Sequence, residues 1–184
     1  GRRPDRAELL AAALEIEPHP DNLAACLWGG FTIAAPPHVV TVPWPGALRV
    51  VAGVPDFAVQ TAGARKLLPP HYSRADAVFN VARASVLAAA IAAGGEVPGW
   101  AFEDRFHQDH RAPLVRAWPA AREAAAKAGA AGAAISGSGP TIVAFTTGDT
   151  AALGRALAAE FERVGAKARI LDLSAATGAS WKIR

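Results

Sequence analysis

The chain has 184 residues, 52% of them hydrophobic, which excludes a disordered protein and allows one sizeable core or two small domains. Its formal net charge is +3, but the basic residues are scattered among acidic ones, so we expect no nucleic-acid-binding surface. One cysteine excludes a disulfide framework, and no apolar run looks long enough to span a membrane, so we expect a cytoplasmic protein with no membrane contact.

The first part of the chain predicts two helices followed by strands. An Ala- and Leu-rich helix over residues 9–17 should stop before Pro18, because the residue ahead of a proline is disfavoured in a helix. Asp21 or Asn22 is expected to cap a short second helix that ends near residue 29. The predicted strands that follow cover residues 31–34, 39–42 and 48–54.

The second part predicts mostly helices. Ser73 and Asp76 resemble a capping box ahead of a helix over residues 77–93. One face of this helix is expected to be apolar and to contain Val78, Phe79, Ala82, Val86, Ala89 and Ala90. Aromatic residues predict another helix over residues 100–111. The further predicted elements are a helix over 119–129, a strand over 141–146, a helix over 149–164 and a strand over 168–173. This order predicts an α+β fold with helices on one face of an antiparallel or mixed sheet.

The segment Ser136, Gly137, Ser138 and Gly139 lies between the apolar residues 130–135 and 142–145. Small residues allow backbone N–H groups to turn toward one point, which is how a loop binds phosphate oxygens. The apolar flanks argue against a flexible linker. The alternative is a tight turn between two buried elements that binds no ligand.

Several polar residues fit a site for a small zwitterion. Arg65 and Arg111 suit a carboxylate, because a guanidinium group can pair with it through two hydrogen bonds. His19, Asp21 and Asn22 offer acceptors for an ammonium or hydroxyl group. Taken singly, each of these five residues also fits an ordinary surface or capping role.

Two acidic residues, Glu15 and Glu17, lie at the end of the first predicted helix. Both fit exposed acids at a helix end. A carboxylate near a phosphate-bearing site is also a plausible ligand of Mg²⁺, which prefers one or two carboxylates together with phosphate oxygens.

Four segments resemble homoserine kinases of the GHMP kinase superfamily in sequence and in order. The segments are EIEPHPDN at 15–22 with LWGG at 27–30, ARKLLP at 64–69, EDRFHQ at 103–108 and SGSGPT at 136–141. The first and third are specific to homoserine kinases, whereas the glycine segment indicates only the wider superfamily. The resemblance spans residues 8 to about 173.

The resemblance implies the two-domain GHMP kinase fold. Residues 1–55 are expected to be the end of the N-terminal domain, which is similar to domain 2 of ribosomal protein S5. Residues 56–184 are expected to be a complete, ferredoxin-like C-terminal domain. The implied reaction is ATP-dependent phosphorylation of L-homoserine to O-phospho-L-homoserine in threonine biosynthesis, with Mg²⁺ as the metal, and the full-length enzyme could form a homodimer.

The resemblance also implies roles for single residues. Those assigned to the substrate are His19, Asp21, Asn22, Arg65 and Arg111. Glu15 is assigned to Mg²⁺, and the loop 136–139 is expected to support the phosphate site. No general base is assigned, because phosphoryl transfer depends mainly on positioning and charge neutralisation.

The principal ATP loop of the family, Pro-x-x-x-Gly-Leu-Gly-Ser-Ser, does not occur in this sequence. We therefore expect the chain to be about the last two thirds of such an enzyme and to be inactive by itself. The alternatives are another GHMP small-molecule kinase, or a non-catalytic ligand-binding module with the same C-terminal fold.

Overall fold

The computed structural model describes residues 4–180 and divides the chain into two compact units. One unit contains the residues up to Pro45 together with those from Ala175 onward, and the other contains Gly46–Ser174. The sequence predicts a domain boundary after residue 55, and this boundary stays a prediction. The compact units divide ten residues earlier, after Pro45, because the strand over residues 49–55 pairs within the second unit.

The first unit contains helix α1 (Arg6–Leu14), helix α2 (Pro20–Trp28) and the hairpin of strands β1 (Phe31–Ala35) and β2 (His38–Val42). Asp5 caps α1, and its carboxylate accepts a hydrogen bond of 2.9 Å from the backbone N–H of Glu8. The prediction that Asp21 or Asn22 caps α2 is wrong. Pro20 begins this helix instead, because its missing N–H and fixed φ suit the first helical position.

The C-terminal segment of the first unit packs against the end of α2. Ala179 donates a backbone hydrogen bond to Cys26, and Gly30 donates one to Ala176. Gly29 has a φ of +71°, and a Cβ atom there would lie 2.2 Å from the backbone nitrogen of Gly178. A side chain at position 29 would therefore prevent this packing.

The second unit is built on a four-stranded antiparallel sheet with the order β4-β5-β3-β6. Its strands are β3 (Arg49–Pro55), β4 (Gly132–Ile135), β5 (Ile142–Thr146) and β6 (Ala168–Leu173). Its helices are α3 (Thr61–Lys66), α4 (Arg74–Ala93), α5 (Gln108–Arg111), α6 (Trp118–Lys127) and α7 (Thr150–Arg163), with a 3₁₀ helix at Gly99–Phe102. The alternation of strands and helices is ferredoxin-like, so the predicted α+β fold is confirmed.

The core of the second unit lies between the sheet and helices α6 and α7. Leu153, Leu157 and Phe161 recur every four residues along α7 and are fully buried, as the helical period requires for a face that meets the sheet. Gly53 of β3 makes room for Phe161, because a Cβ atom at position 53 would lie 2.8 Å from the ring. Asp149 caps α7 by accepting hydrogen bonds from two backbone N–H groups.

Ser73 caps helix α4 as predicted, because its hydroxyl accepts a hydrogen bond of 3.0 Å from the backbone N–H of Asp76. The helix begins at Arg74, earlier than the predicted residue 77. The expected apolar core face is wrong, since only Ile91 is buried and Val78 and Val81 are exposed. By length and composition alone α4 could cross a membrane, so the expectation that no apolar run is long enough is wrong. A single helix of this kind is weak evidence for a membrane span.

The predicted continuous helix over residues 100–111 is wrong. The structure has a 3₁₀ helix, an irregular loop over residues 103–107 and the four-residue helix α5. The carboxylate of Asp104 accepts hydrogen bonds from the backbone N–H groups of Phe106, His107 and Gln108. These side-chain bonds compete with regular helical bonds, so the loop is the more stable arrangement.

Candidate active site

The glycine segment 136–139 forms the turn of the hairpin between β4 and β5. The backbone N–H of Ser136 donates to Thr141 and that of Gly139 donates to Ser136, both at 2.9 Å. Within the described residues, the N–H groups of Gly137 and Ser138 donate no hydrogen bond. The segment is therefore a tight turn between buried strands, as the alternative held, and it also leaves two adjacent donors for a ligand.

Both glycines of the turn have positive φ angles, +57° for Gly137 and +79° for Gly139. A Cβ atom at position 139 would lie 2.7 Å from a methyl group of Val115 and 3.1 Å from one of Ile135. At position 137 it would meet nothing within 4 Å. Gly139 is thus required by both its conformation and its neighbours, and Gly137 by its conformation alone.

Arg111 lies at the end of α5 and faces this turn. Its Nη1 atom donates a hydrogen bond to the carbonyl oxygen of Gly137. Its Nε atom is buried and has no hydrogen-bond partner among the described residues. Burial lowers the pKa of Arg111, the nearby positive charge of Arg65 adds to this effect, and the carboxylate of Asp104 opposes it.

Arg65 lies near the end of α3, whose first residue also touches the glycine turn. The hydroxyl oxygen of Thr61 is 3.4 Å from that of Ser138. Arg65 is exposed and lies close enough to Arg111 to affect its pKa. The structure thus brings both predicted arginines and the glycine turn to one region of the second unit.

The loop ahead of α5 is fixed by Asp104. Its carboxylate accepts hydrogen bonds from the backbone of residues 106–108 and from the side-chain amide of Asn80 at 2.6 Å. Burial alone would raise the pKa of Asp104, but the hydrogen bonds from Gln108, Asn80 and His107 outweigh it and lower the pKa. Asn80 also accepts a bond from the backbone N–H of Arg105.

Two further residues of the EDRFHQ segment are buried or partly buried. Gln108 bonds with its side chain to the backbone of Phe102 and of Ile135. The Nδ1 atom of His107 is buried and has no hydrogen-bond partner in the described part of the chain. Burial lowers the pKa of His107, and Arg111 lowers it further against the opposing effect of Asp104.

Individual roles for Asn80, Asp104 and Gln108 were not predicted from the sequence. The only signal was the EDRFHQ segment itself, which contains two of them. Their partners lie up to 27 residues away along the chain, so spacing could not have identified them.

The remaining predicted site residues lie in the first unit, around the connection between α1 and α2. His19 precedes α2 and its Nδ1 atom contacts the Glu17 carboxylate, whereas Asp21 and Asn22 are exposed in the first turn of α2. Glu15 follows α1 and is exposed. The structure therefore brings His19, Asp21, Asn22 and Glu15 together along one short segment.

A cavity of about 540 Å³ in the second unit was not predicted. It is lined by aromatic rings, including those of Phe79 and Trp100, and by charged side chains that include Arg105 and Arg122. None of the predicted site residues lines it. Arg105 is paired there with Asp76 at 3.2 Å.

Comparison with known proteins identifies the fold. Residues 86–163 match the family described as GHMP kinases C terminal. Over these residues the chain is similar to GHMP kinases. It is 38% identical over 175 residues to homoserine kinase from Trichormus variabilis, and this match covers 92% of the chain and 58% of that protein. It is 39% identical over 186 residues to homoserine kinase from Thermus thermophilus, with coverage of 99% and 63%.

A solved structure agrees with these GHMP kinase relatives. The crystal structure of homoserine kinase from Cytophaga hutchinsonii matches with a TM-score of 0.89 and 28% identity, over 97% of this chain and 60% of that one. The chain thus spans about three fifths of the length of the relatives that it matches.

The described residues can be compared with what Mg²⁺ requires. Among residues 4–180, no group of three or more His, Cys, Asp or Glu side chains could hold a metal. Glu15 offers a single exposed carboxylate. One carboxylate fits Mg²⁺, because this ion takes most of its ligands from phosphate and water when it binds with a nucleotide.

Proposed function

We propose that this chain is the C-terminal portion of an ATP-dependent homoserine kinase, an enzyme of threonine biosynthesis. The main support is the convergence of Arg65, Arg111 and the glycine turn in one unit, part of which matches the GHMP kinase C-terminal family. Relatives between 36% and 40% identical are named homoserine kinases. The proposed reaction transfers the γ-phosphoryl group of ATP to the hydroxyl of L-homoserine.

Arg65 and Arg111 are the proposed ligands of the homoserine carboxylate. A guanidinium group offers planar N–H donors that match the two oxygens of a carboxylate. The Nη1 atom of Arg111 is already bonded to Gly137, and its position is therefore fixed before substrate binds. Fixing the donor in advance reduces the entropy that is lost on binding.

His19, Asp21 and Asn22 are the proposed contacts to the ammonium and hydroxyl groups of homoserine. Their side chains provide carboxylate, amide and imidazole acceptors, and Asp21 and Asn22 are accessible in the first unit. His19 is oriented by its contact with Glu17. No general base is proposed, since positioning and neutralisation of charge provide most of the acceleration in phosphoryl transfer.

The glycine turn and Glu15 are proposed to serve the phosphates of ATP. The N–H groups of Gly137 and Ser138 could donate to phosphate oxygens, and the carboxylate of Glu15 could bind Mg²⁺. The metal, when bound, neutralises charge on the phosphates. The family's principal ATP loop is absent from these 184 residues, so we propose that activity requires the further region that the relatives have.

The domain portions, the location and the partners expected from the sequence are also proposals. Residues 1–55 and 56–184 are the proposed N- and C-terminal domain portions, and the proposed location is the cytoplasm. We propose no nucleic-acid or membrane partner, and a homodimer for the full-length enzyme.

A substrate profile of the full-length protein tests the proposed function. With ATP and Mg²⁺ present, we expect phosphorylation of homoserine and little turnover of mevalonate or galactose. A preference for mevalonate or galactose would identify a different GHMP kinase. The 184-residue chain assayed by itself should be inactive, and steady turnover by it would contradict the requirement for a further region.

A further inference from the structure

We propose that Gln108 is a positioning residue that holds Arg111 and the glycine turn in a fixed relation. Its side chain is only 5% exposed. Its Oε1 atom accepts a hydrogen bond of 2.9 Å from the backbone N–H of Ile135, and its Nε2 atom donates one of 3.1 Å to the carbonyl oxygen of Phe102. The catalytic meaning of this arrangement rests on the proposed function, because it requires that Arg111 binds substrate.

The two partners of Gln108 explain why this residue controls the site. Ile135 is the last residue of β4, directly before the glycine turn, and Gln108 is the first residue of α5, which ends at Arg111. Gln108 therefore links the start of α5 to the start of the turn. Arg111 then links the end of α5 to Gly137. The helix and the turn are thus joined at two points.

Helix α5 needs such a link because it has only four residues. A helix of this length gains too few internal hydrogen bonds to be stable by itself. Asp104 stabilises its beginning by accepting backbone bonds, but those bonds connect α5 only to its own loop and to Asn80. Several described side chains bond to α5 or to the loop before it. Of these, Gln108 and Arg111 also bond to the β4–β5 hairpin.

A merely structural role for Gln108 makes a different prediction from a positioning role. Loss of its side-chain amide leaves a buried N–H and a buried carbonyl group unpaired, which lowers stability in either case. Only the positioning role also predicts that substrate binding weakens. A control residue distinguishes the two roles. It must lie away from the glycine turn, and removal of its hydrogen bonds must lower stability to a similar degree.

Thr146 is a matched control within the same hairpin. It is 1% exposed, its hydroxyl donates a bond of 3.1 Å to Gly129, and it accepts one of 2.9 Å from the backbone N–H of Gly148. It is the last residue of β5, at the opposite end of that strand from the glycine turn. Thr146→Val removes both bonds while keeping the shape of the side chain.

The experiment compares Gln108→Met with Thr146→Val in the full-length enzyme. Melting temperature should fall in both variants. The KM for homoserine should rise by about tenfold or more in Gln108→Met alone, the loss that one weakened charge-assisted hydrogen bond produces. An unchanged KM in Gln108→Met, or an equal rise in both variants, would overturn the proposal.

Hydrogen exchange provides a measurement that does not depend on the reaction. The hydrogen-bonded amides of Ser136 and Gly139 in the glycine turn should exchange at least tenfold faster in Gln108→Met than in the wild type, and at the wild-type rate in Thr146→Val. If the wild-type enzyme fails to phosphorylate homoserine but this difference is seen, the proposed function is wrong and the positional link is supported. If homoserine is phosphorylated and exchange is equal in both variants, the positioning proposal is wrong and the proposed function is unaffected.

Discussion

The guanidinium group of Arg111 donates a hydrogen bond to the carbonyl oxygen of Gly137, within the turn that joins β4 and β5. This bond uses one donor of the guanidinium, and the buried Nε atom of the same group has no hydrogen-bond partner among the described residues. Arg111 therefore combines a structural contact with the proposed binding of a carboxylate. Lysine cannot do both, because its ammonium group is a compact charge at the end of a flexible stem.

We expect Arg111→Lys to raise the KM for homoserine by about 10- to 100-fold, the loss typical of one or two charge-assisted hydrogen bonds. Steady-state kinetics of the full-length enzyme measures this change. Arg116→Lys is the control, since Arg116 bonds only weakly to Val164, at 3.4 Å. A KM that changes equally in both variants would contradict the role of Arg111.

The two glycines of the turn provide a test of its packing. Gly139→Ala should reduce the free energy of unfolding by about 2–4 kcal/mol, because it combines an unfavourable positive φ with a clash against Val115. Gly137→Ala should cost only about 1–2 kcal/mol, because the conformational strain remains but no atom lies in the way. Chemical denaturation of both variants checks the order, and a larger loss in Gly137→Ala would contradict the described turn.

Asp104 should be more important for stability than an ordinary helix cap. Asp104→Asn places a donor amide where the carboxylate now accepts several N–H groups, and we expect a loss of about 3 kcal/mol at neutral pH. Asp149→Asn is the control, because asparagine caps a helix about as well as aspartate. Chemical denaturation measures the free energy of unfolding of both variants. An equal loss in Asp149→Asn and Asp104→Asn would contradict the special role of Asp104.

The lowered pKa of Asp104 also predicts a dependence on pH. The folded protein binds a proton at this carboxylate less readily than the unfolded chain, whose ordinary value is 3.8. The stabilisation of the folded state by ionised Asp104 is therefore fully present above the unfolded pKa of 3.8. It is lost as the pH falls through the lower pKa of the folded state. Asp104→Asn should weaken this acid-dependent loss, which thermal unfolding below pH 4 measures.

His107 predicts a second dependence at higher pH. Its pKa is lowered from 6.5 by burial and by Arg111, so the unfolded state takes up a proton before the folded state does. The stabilisation by neutral His107 is thus complete above pH 6.5 and decreases as the pH falls below that value. His107→Gln should flatten the stability profile between about pH 7 and pH 5. An unchanged slope would contradict the burial of this imidazole.

Local patterns in the sequence predicted the elements whose structure depends on nearby residues. Helix α7 follows from the four-residue spacing of Leu153, Leu157 and Phe161, and β6 was predicted with its observed bounds. The cap at Ser73 depends on a residue only three positions away. In these cases the hydrophobic pattern and the local hydrogen bonds favour the same structure.

Predictions failed where distant contacts decide the structure. Residues 100–111 have the composition of a helix, but Asp104 binds the backbone ahead of α5 and also bonds to Asn80 of α4. The core position expected for Val78 required α4 to pack on the sheet, and the exposure of this residue shows that it does not. The bonds of Asp104 leave no periodic signal in the sequence, and an apolar helical face does not show whether the helix packs on the sheet.

The candidate site was found in part through the family resemblance and not through spacing alone. Arg65, Arg111 and the glycine turn are far apart in sequence, and each alone fits an ordinary surface or turn role. Their proximity depends on α3 and α5, two helices of six and four residues. Helices this short have weak sequence signals, so only the folded structure reveals the positions of their side chains.

Strand β3 is the first strand of its unit, yet it lies inside the sheet and bonds to β5 on one side and β6 on the other. Anyone who wishes to produce this unit by itself should therefore begin at Gly46 and not at residue 56. A version that begins at residue 56 would lose Val51 from the core and expose the backbone of two strands to other molecules. Such a polypeptide would aggregate before any ligand could be tested on it.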